Sequence, residues 1–295
     1  MREIRQPRKG EIDRQKEIWK LCFGDSDSYI DFYFANRYNE DETVVLLYHG
    51  EITAMLTRIP VKMAISDSRS FKTSMFYAIA THPMYQGRGF ATQLMDYCDQ
   101  YPGTGKSDFS VLVPAKRTLF DFYRKQGFQD GFYIRESLLI RNRIDNLPIP
   151  KPYHCTISSI TSEEYNRRRI EQLSGRLFIS YVDEDIGYQK KLSQQSGADI
   201  YAIDIETIQG CMAVERITSD KVLIKELLLP EDFINVALKQ IVQQLPAAVY
   251  FLRTPGYLGK HLGGAVRPFG MIKVSRDNNL AITHEDEGYL GLAFD

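Results

Sequence analysis

The sequence predicts a mixed α/β (α+β) protein made of two tandem domains. Each is expected to be a mixed, mostly antiparallel sheet flanked by helices. Three observations carry this. Segments of helical period alternate with segments rich in β-branched and apolar residues. Leu147-Pro148-Ile149-Pro150-Lys151-Pro152 interrupts the chain near its middle, because closely spaced prolines suit neither a helix interior nor a central strand. Beyond that break the order of elements recurs, although residue identity barely does. The expected division is residues 1–146 and 147–295.

Residues 11–23 place Ile12, Ile18, Trp19 and Leu21 at helical spacing, between Pro7 and the Gly24-Asp25-Ser26 break. Residues 28–38 repeat the pattern with Tyr29, Ile30, Tyr33 and Phe34. Residues 43–48 and 52–65 read as strands joined by a turn at His49-Gly50-Glu51, and 71–80 as a third strand. A helix follows Gly89 with Ala91, Leu94, Met95 and Cys98 inward, and ends at Pro102-Gly103-Thr104-Gly105. Residues 109–113 form a short strand, 116–126 a helix stopped by Gly127, and 132–140 a closing strand. In the second half, 156–160, 200–205, 208–217, 222–229 and 247–252 read as strands. Thr161 and Glu164 have capping-box spacing for one helix, and 231–245 form another.

Composition narrows the function. With 37 Lys+Arg against 38 Asp+Glu the net charge is −1, which lacks the basic field that nucleic-acid binding rests on. Cys22, Cys98, Cys155 and Cys211 are more than fifty residues apart, so neither a zinc site nor a disulfide framework is indicated. The charged opening residues and the lack of long apolar runs give the expectation of a cytoplasmic protein without a membrane span.

The sharpest feature is Ala80-Thr81-His82-Pro83-Met84-Tyr85-Gln86-Gly87-Arg88-Gly89-Phe90-Ala91. A strand ends, a glycine-rich turn follows, and an amphipathic helix begins at once. A helix start exposes N–H groups without intrahelical partners, and its dipole favours negative charge. Glycines let that backbone approach a ligand closely, which suits a diphosphate. No Gly-Lys-Ser/Thr follows, and the three-glycine dinucleotide order is missing.

Gln86-x-x-Gly89-x-Ala91, preceded by Thr81-x-Pro83, resembles the coenzyme A signature of the GCN5-related N-acetyltransferase (GNAT) family. About thirty residues on, residues 116–128 resemble that family's following helix, with Tyr123 four residues before Gly127-Phe128. The resemblance implies acetyl-CoA as co-substrate, held by Ile79, Ala80, Thr81, Gln86, Gly87, Arg88, Gly89, Phe90, Ala91, Thr92 and Lys116, with no metal. It implies that Tyr123 acts as general acid toward the departing thiolate. Lys116 departs from the pattern, standing where the family often has Asn. The second half has Leu227-Leu228-Leu229-Pro230-Glu231-Asp232-Phe233 at its corresponding junction, with no glycine and two carboxylates where a diphosphate would sit. An active copy followed by a degenerate one is similar to the Eis-like acetyltransferases, as is the segment Arg267-Pro268-Phe269-Gly270-Met271. The chain length leaves out their third, sterol-carrier-like domain.

The expected reaction is transfer of acetyl from acetyl-CoA to a primary amine of a small molecule or peptide, by direct attack. Asp25, Asp27, Tyr33, Tyr77 and His82 are candidates for the base, and Tyr29, Phe32, Tyr33, Phe34 and Tyr38 for an acceptor pocket or simply core. Two rival readings keep the architecture: an acyl-CoA sensor or scaffold without turnover, and an acyl- or aminoacyl-transferring tandem enzyme. An oligomer is compatible with all three.

Overall fold

The computed structural model describes residues 2–66, 69–100, 107–275 and 287–294. The chain begins with β1 (Arg2–Arg5), α1 (Ile12–Phe23), α2 (Asp27–Asn36), β2 (Thr43–Tyr48), β3 (Glu51–Ser66) and β4 (Arg69–Thr81). Then come α3 (Phe90–Gln100), β5 (Phe109–Leu112), α4 (Leu119–Lys125), β6 (Gln129–Ile140) and α5 (Arg141–Asp145). β7 (Cys155–Ser159), α6 (Ser162–Leu173), β8 (Phe178–Ser180), α7 (Asp183–Gln195), β9 (Ile200–Ile205) and β10 (Ile208–Thr218) follow. β11 (Lys221–Leu228), α8 (Ile234–Gln244), β12 (Val249–Pro255) and β13 (Ala265–Val274) complete the order. No helix among the described residues is long and apolar enough to cross a membrane.

Two compact units result. The first comprises Met1–Lys62, Phe71–Asp130 and Gly270–Ile282; the second comprises Met63–Ser70, Gly131–Phe269 and Thr283–Asp295. In the first unit the strands run β1-β2-β3-β4-β5 and then the Met271–Val274 part of β13. β1–β2 and β2–β3 are antiparallel, β4–β5 parallel, and β5 meets β13 antiparallel. The β2–β3 turn uses His49 and Gly50, both at positive φ, as the sequence predicts. Val44, Leu46, Ala54, Leu56, Phe76 and Leu112 from the sheet pack against Phe90, Leu94, Met95 and Cys98 of α3. In the second unit the order is β6-β12-β11-β10-β9-β7, with β11–β12 the parallel pair. The face of α8 carrying Ile234, Ala237, Leu238 and Ile241 packs on Leu139, Val222, Ile224, Tyr250 and Leu252.

The predicted elements are present, with ends moved by a few residues. The expected helix over 116–126 shortens to α4, because the Leu119 N–H reaches the Lys116 carbonyl at 2.9 Å as a turn. The helix end expected at 102–105 lies outside the described residues. Thr161 caps α6 as its spacing predicts, accepting the Glu164 N–H at 3.3 Å. The Glu164 carboxylate turns instead to Arg167 and Arg168. Five of these elements have no counterpart in the sequence-based expectation: β1, α5, β8, α7 and β13. The inner face of α7 carries Asp185, Gln189 and Ser193 beside Ile186, Tyr188 and Leu192, so its burial does not register as an apolar stripe.

Arg169 and Glu226 form an ion pair at 3.0 Å with both side chains fully buried in the second unit. Arg169 also donates to the carbonyls of Ile179 and Leu290, at 2.7 and 2.9 Å, and Tyr165 donates to Glu226 at 2.7 Å. Such a pair survives burial only when its remaining donors and acceptors are satisfied. Arg169→Met should destabilise the protein by about 3–5 kcal/mol, because it strands a buried carboxylate. Adding Glu226→Gln should recover part of that loss. Urea denaturation of the two variants checks both statements.

Candidate active site

The site grows from the end of β4. Its parallel ladder with β5 runs from Thr73–Phe109 to Phe76–Leu112, whereas β4 itself continues to Thr81. Beyond the ladder β4 keeps its hold on β3, the His82 N–H donating to the Thr53 carbonyl at 2.9 Å. Ala78 sits at φ +50, a left-handed conformation that costs a non-glycine residue roughly 1–2 kcal/mol. The strand is therefore re-aimed just where it leaves β5. Ile79 and Thr81 are half-buried there and Ala80 is buried.

The turn that follows is locked from both ends. Gln86 Nε2 donates to the Thr81 carbonyl at 3.1 Å, and the Cys22 thiol of α1 donates to the same oxygen at 3.2 Å. Gly87 and Gly89 adopt φ of +77° and +74°, which side chains rarely tolerate. A Cβ on Gly87 would meet nothing within 4 Å, and one on Gly89 only Gln93 Nε2 at 3.9 Å, so the space in front of both glycines is open. Phe90 is buried and anchors the start of α3, while Ala91 and Thr92 are half-buried in its first turn. The first helical bond runs from Gln93 N–H to Gly89 O, which leaves the N–H groups of Phe90, Ala91 and Thr92 as the unpaired helix start. No acidic residue stands in that first turn. Open space, left-handed glycines and an acid-free helix start fit a diphosphate.

The corresponding junction in the second unit carries a carboxylate that is already engaged by the chain. Glu231 accepts the Gly259 N–H at 2.7 Å and lies 2.8 Å from His261 Nδ1, whose other nitrogen meets Asn235 at 2.7 Å. A carboxylate of the chain itself occupies these donors.

Tyr123 lies on α4 with 7% of its surface exposed, among Phe76, Leu112, Phe128 and Met271. Its ring meets Phe122 and Phe128 edge-on at 5.1 and 6.0 Å. Burial pushes its pKa up to about 12, so the phenol is protonated at neutral pH. Gly127 follows at φ +88, as a helix stop requires. Lys116 is exposed in the turn before α4.

Of the five candidates for a base, His82 uses Nδ1 to accept the Met84 N–H at 3.3 Å. Asp27 is paired with Lys20 at 2.8 Å. Tyr33 is buried, its pKa raised chiefly by that burial, and its ring packs on Trp19, Phe34 and Tyr77 at 4.7, 5.5 and 5.6 Å. Tyr77 stands half-buried in the same cluster. Asp25 accepts the Trp19 indole N–H at 2.7 Å. The expected aromatic set is thus core at Tyr33, with Phe34 and Tyr38 stacked at 4.8 Å beside it. Sequence reasoning missed the Trp19–Asp25 bond, the Cys22–Thr81 bond and the turn at Ala78. Trp19 and Asp25 are close in the chain and offered a local signal; Cys22 and Ala78 offered none.

Residues 3–130 match the model of an acetyltransferase (GNAT) domain. A GCN5-related N-acetyltransferase structure from Anabaena variabilis superposes with a TM-score of 0.74 at 14% identity, covering 94% of this chain and 74% of that one. Eis1 from Mycobacterium abscessus gives 0.68 at 11% identity, covering 93% and 74%. A putative acetyltransferase from Pyrococcus horikoshii gives 0.57 at 15% identity, covering 99% and 95%. No curated protein matches the sequence. At these identities the structures establish a shared fold, a mixed α/β architecture that extends beyond the matched domain. With its strand end, glycine turn and following helix in the family order, the segment 3–130 is a GNAT acetyltransferase domain.

Proposed function

We propose that the protein transfers an acetyl group from acetyl-CoA to a primary amine of a small molecule or peptide, with residues 1–146 as the catalytic copy and 147–295 as a degenerate one. The reading places it in the cytoplasm. The observation that carries it is the open, acid-free turn from Gln86 to Thr92 at the end of a strand that has left its partner. Gln86, Gly87, Arg88, Gly89, Phe90, Ala91 and Thr92 would hold the diphosphate, Lys116 would add a cation, and Ile79, Ala80 and Thr81 would line the acyl-carrying arm. The bound co-substrate supplies an acetyl group activated as a thioester. Backbone N–H groups from Ala78 to Thr81 stabilise negative charge on the acetyl oxygen as the amine attacks. The acceptor must arrive as a free amine, since aliphatic amines are protonated below about pH 10. As the C–S bond breaks, Tyr123 donates its phenolic proton to the leaving sulfur; the nitrogen releases its extra proton to solvent, from which the phenolate is reprotonated.

A second reading has one observation in its favour: the Tyr123 ring packs in the core of its unit, as a purely structural residue would. On that reading the protein binds acyl-CoA without turnover. Coenzyme release with a mixed amine panel separates the two.

Three outcomes are expected. Calorimetry should register acetyl-CoA binding, and Gly87→Ala should weaken it by about tenfold, because alanine resists φ +77° at a cost of roughly 1–2 kcal/mol. Tyr123→Phe should leave coenzyme affinity nearly intact and slow turnover by roughly tenfold or more; unchanged turnover removes Tyr123 from the mechanism. With its pKa raised to about 12, Tyr123 stays protonated as pH rises past the ordinary tyrosine range. The kcat profile should therefore show no alkaline loss below about pH 10 that disappears in the Tyr123→Phe variant.

A further inference from the structure

We infer that Arg2 and Arg88 recognise a phosphomonoester beside the glycine turn, so that the site prefers coenzyme A bearing its 3′-phosphate over the dephosphorylated coenzyme. This rests on the acetyl-CoA reading above and names what discriminates within it.

β1 sets Arg2 opposite Tyr48 of β2. From there the Arg2 guanidinium lies 5.3 Å from the ring centre of Phe90, the first residue of α3, and donates weakly to Gln93 Oε1 at 3.4 Å. The Arg88 guanidinium lies 5.3 Å from the Tyr85 ring and 5.7 Å from Tyr48. Tyr48, Tyr85 and Phe90 contact one another with ring centres 5.6 to 6.4 Å apart. One aromatic cluster thus carries two guanidinium ions next to the first turn of α3. Ring faces orient such an ion while leaving most of its N–H donors unspent.

Both arginines are exposed, and among the described residues neither has a carboxylate at ion-pair distance. Arg5, Arg14, Arg37 and Arg124 of the same unit each have one. Two oriented, unneutralised cations at an acid-free helix start are built for an anion. A diphosphate is served by main-chain N–H groups at such a turn. A phosphomonoester carries a charge of about −1.5 to −2 at pH 7, with three acceptor oxygens that match the guanidinium fork. In coenzyme A that group is the 3′-phosphate, and removing it leaves diphosphate, pantetheine arm and thiol unchanged.

The test is calorimetry of the full chain with coenzyme A and with 3′-dephospho-coenzyme A. The wild-type protein, Arg2→Gln, Arg88→Gln and the double variant are compared, with thermal melts to confirm folding. Wild type should bind coenzyme A about five- to tenfold more tightly than the dephospho form. Each single variant should reduce that ratio, and the double variant should bring it close to one. Equal wild-type affinities would overturn the inference, and so would a ratio that persists in the double variant while both ligands weaken together. If a folded wild-type protein bound neither compound, the acetyl-CoA reading itself would fall, an outcome distinct from the loss of discrimination alone.

Discussion

Parallel strands share hydrogen bonds evenly along their length, so where the ladder stops, the longer strand carries main-chain groups that must find other company. In the first unit that happens after Phe76 and Leu112, with β4 still five residues from its end. A left-handed alanine re-aims the strand, a bond to β3 keeps it in the sheet, and its last carbonyl is tied to the turn beyond by Gln86 and to α1 by Cys22. The candidate site is what this arrangement leaves: a strand edge outside its ladder, leading into a helix start that no acidic side chain crowds.

The second unit shows how little separates such a site from a closed one. It also has a parallel pair, β11 with β12, and a strand that runs through a short turn into a helix. There the turn opens on Glu231, whose carboxylate already satisfies a backbone N–H and a histidine. The same order of elements thus carries two glycines and no acid at one junction, and at the other a carboxylate held by the chain's own donors.

Local chemistry was legible in the sequence; partnership over distance was not. Gly87 and Gly89 announce their positive φ by identity, and the apolar spacing behind them announces α3. β1 is four residues of mostly charged sequence, and becomes a strand only because Leu46 and its neighbours offer an edge. α7 hides its inward face behind Asp185, Gln189 and Ser193, which gain from polar partners such as Glu215 rather than from apolar contact. Ala78 carries no mark at all, since its strain is imposed by where the two strands part. The turn and the helix behind it could thus be read from the sequence, whereas the place of Arg2 beside them, delivered by an unforeseen strand, could not.

The pairing of β5 with Met271–Val274 also bears on how the chain comes off the ribosome. Every residue of the family-matched segment 3–130 has emerged long before that partner is made. At typical elongation rates the delay is on the order of ten seconds. During that interval β5, four residues long and wholly apolar but for Ser110, presents a bare edge on one side. The nascent acetyltransferase segment is thus a sheet waiting for its last strand, and chaperone protection during synthesis would matter most at that edge.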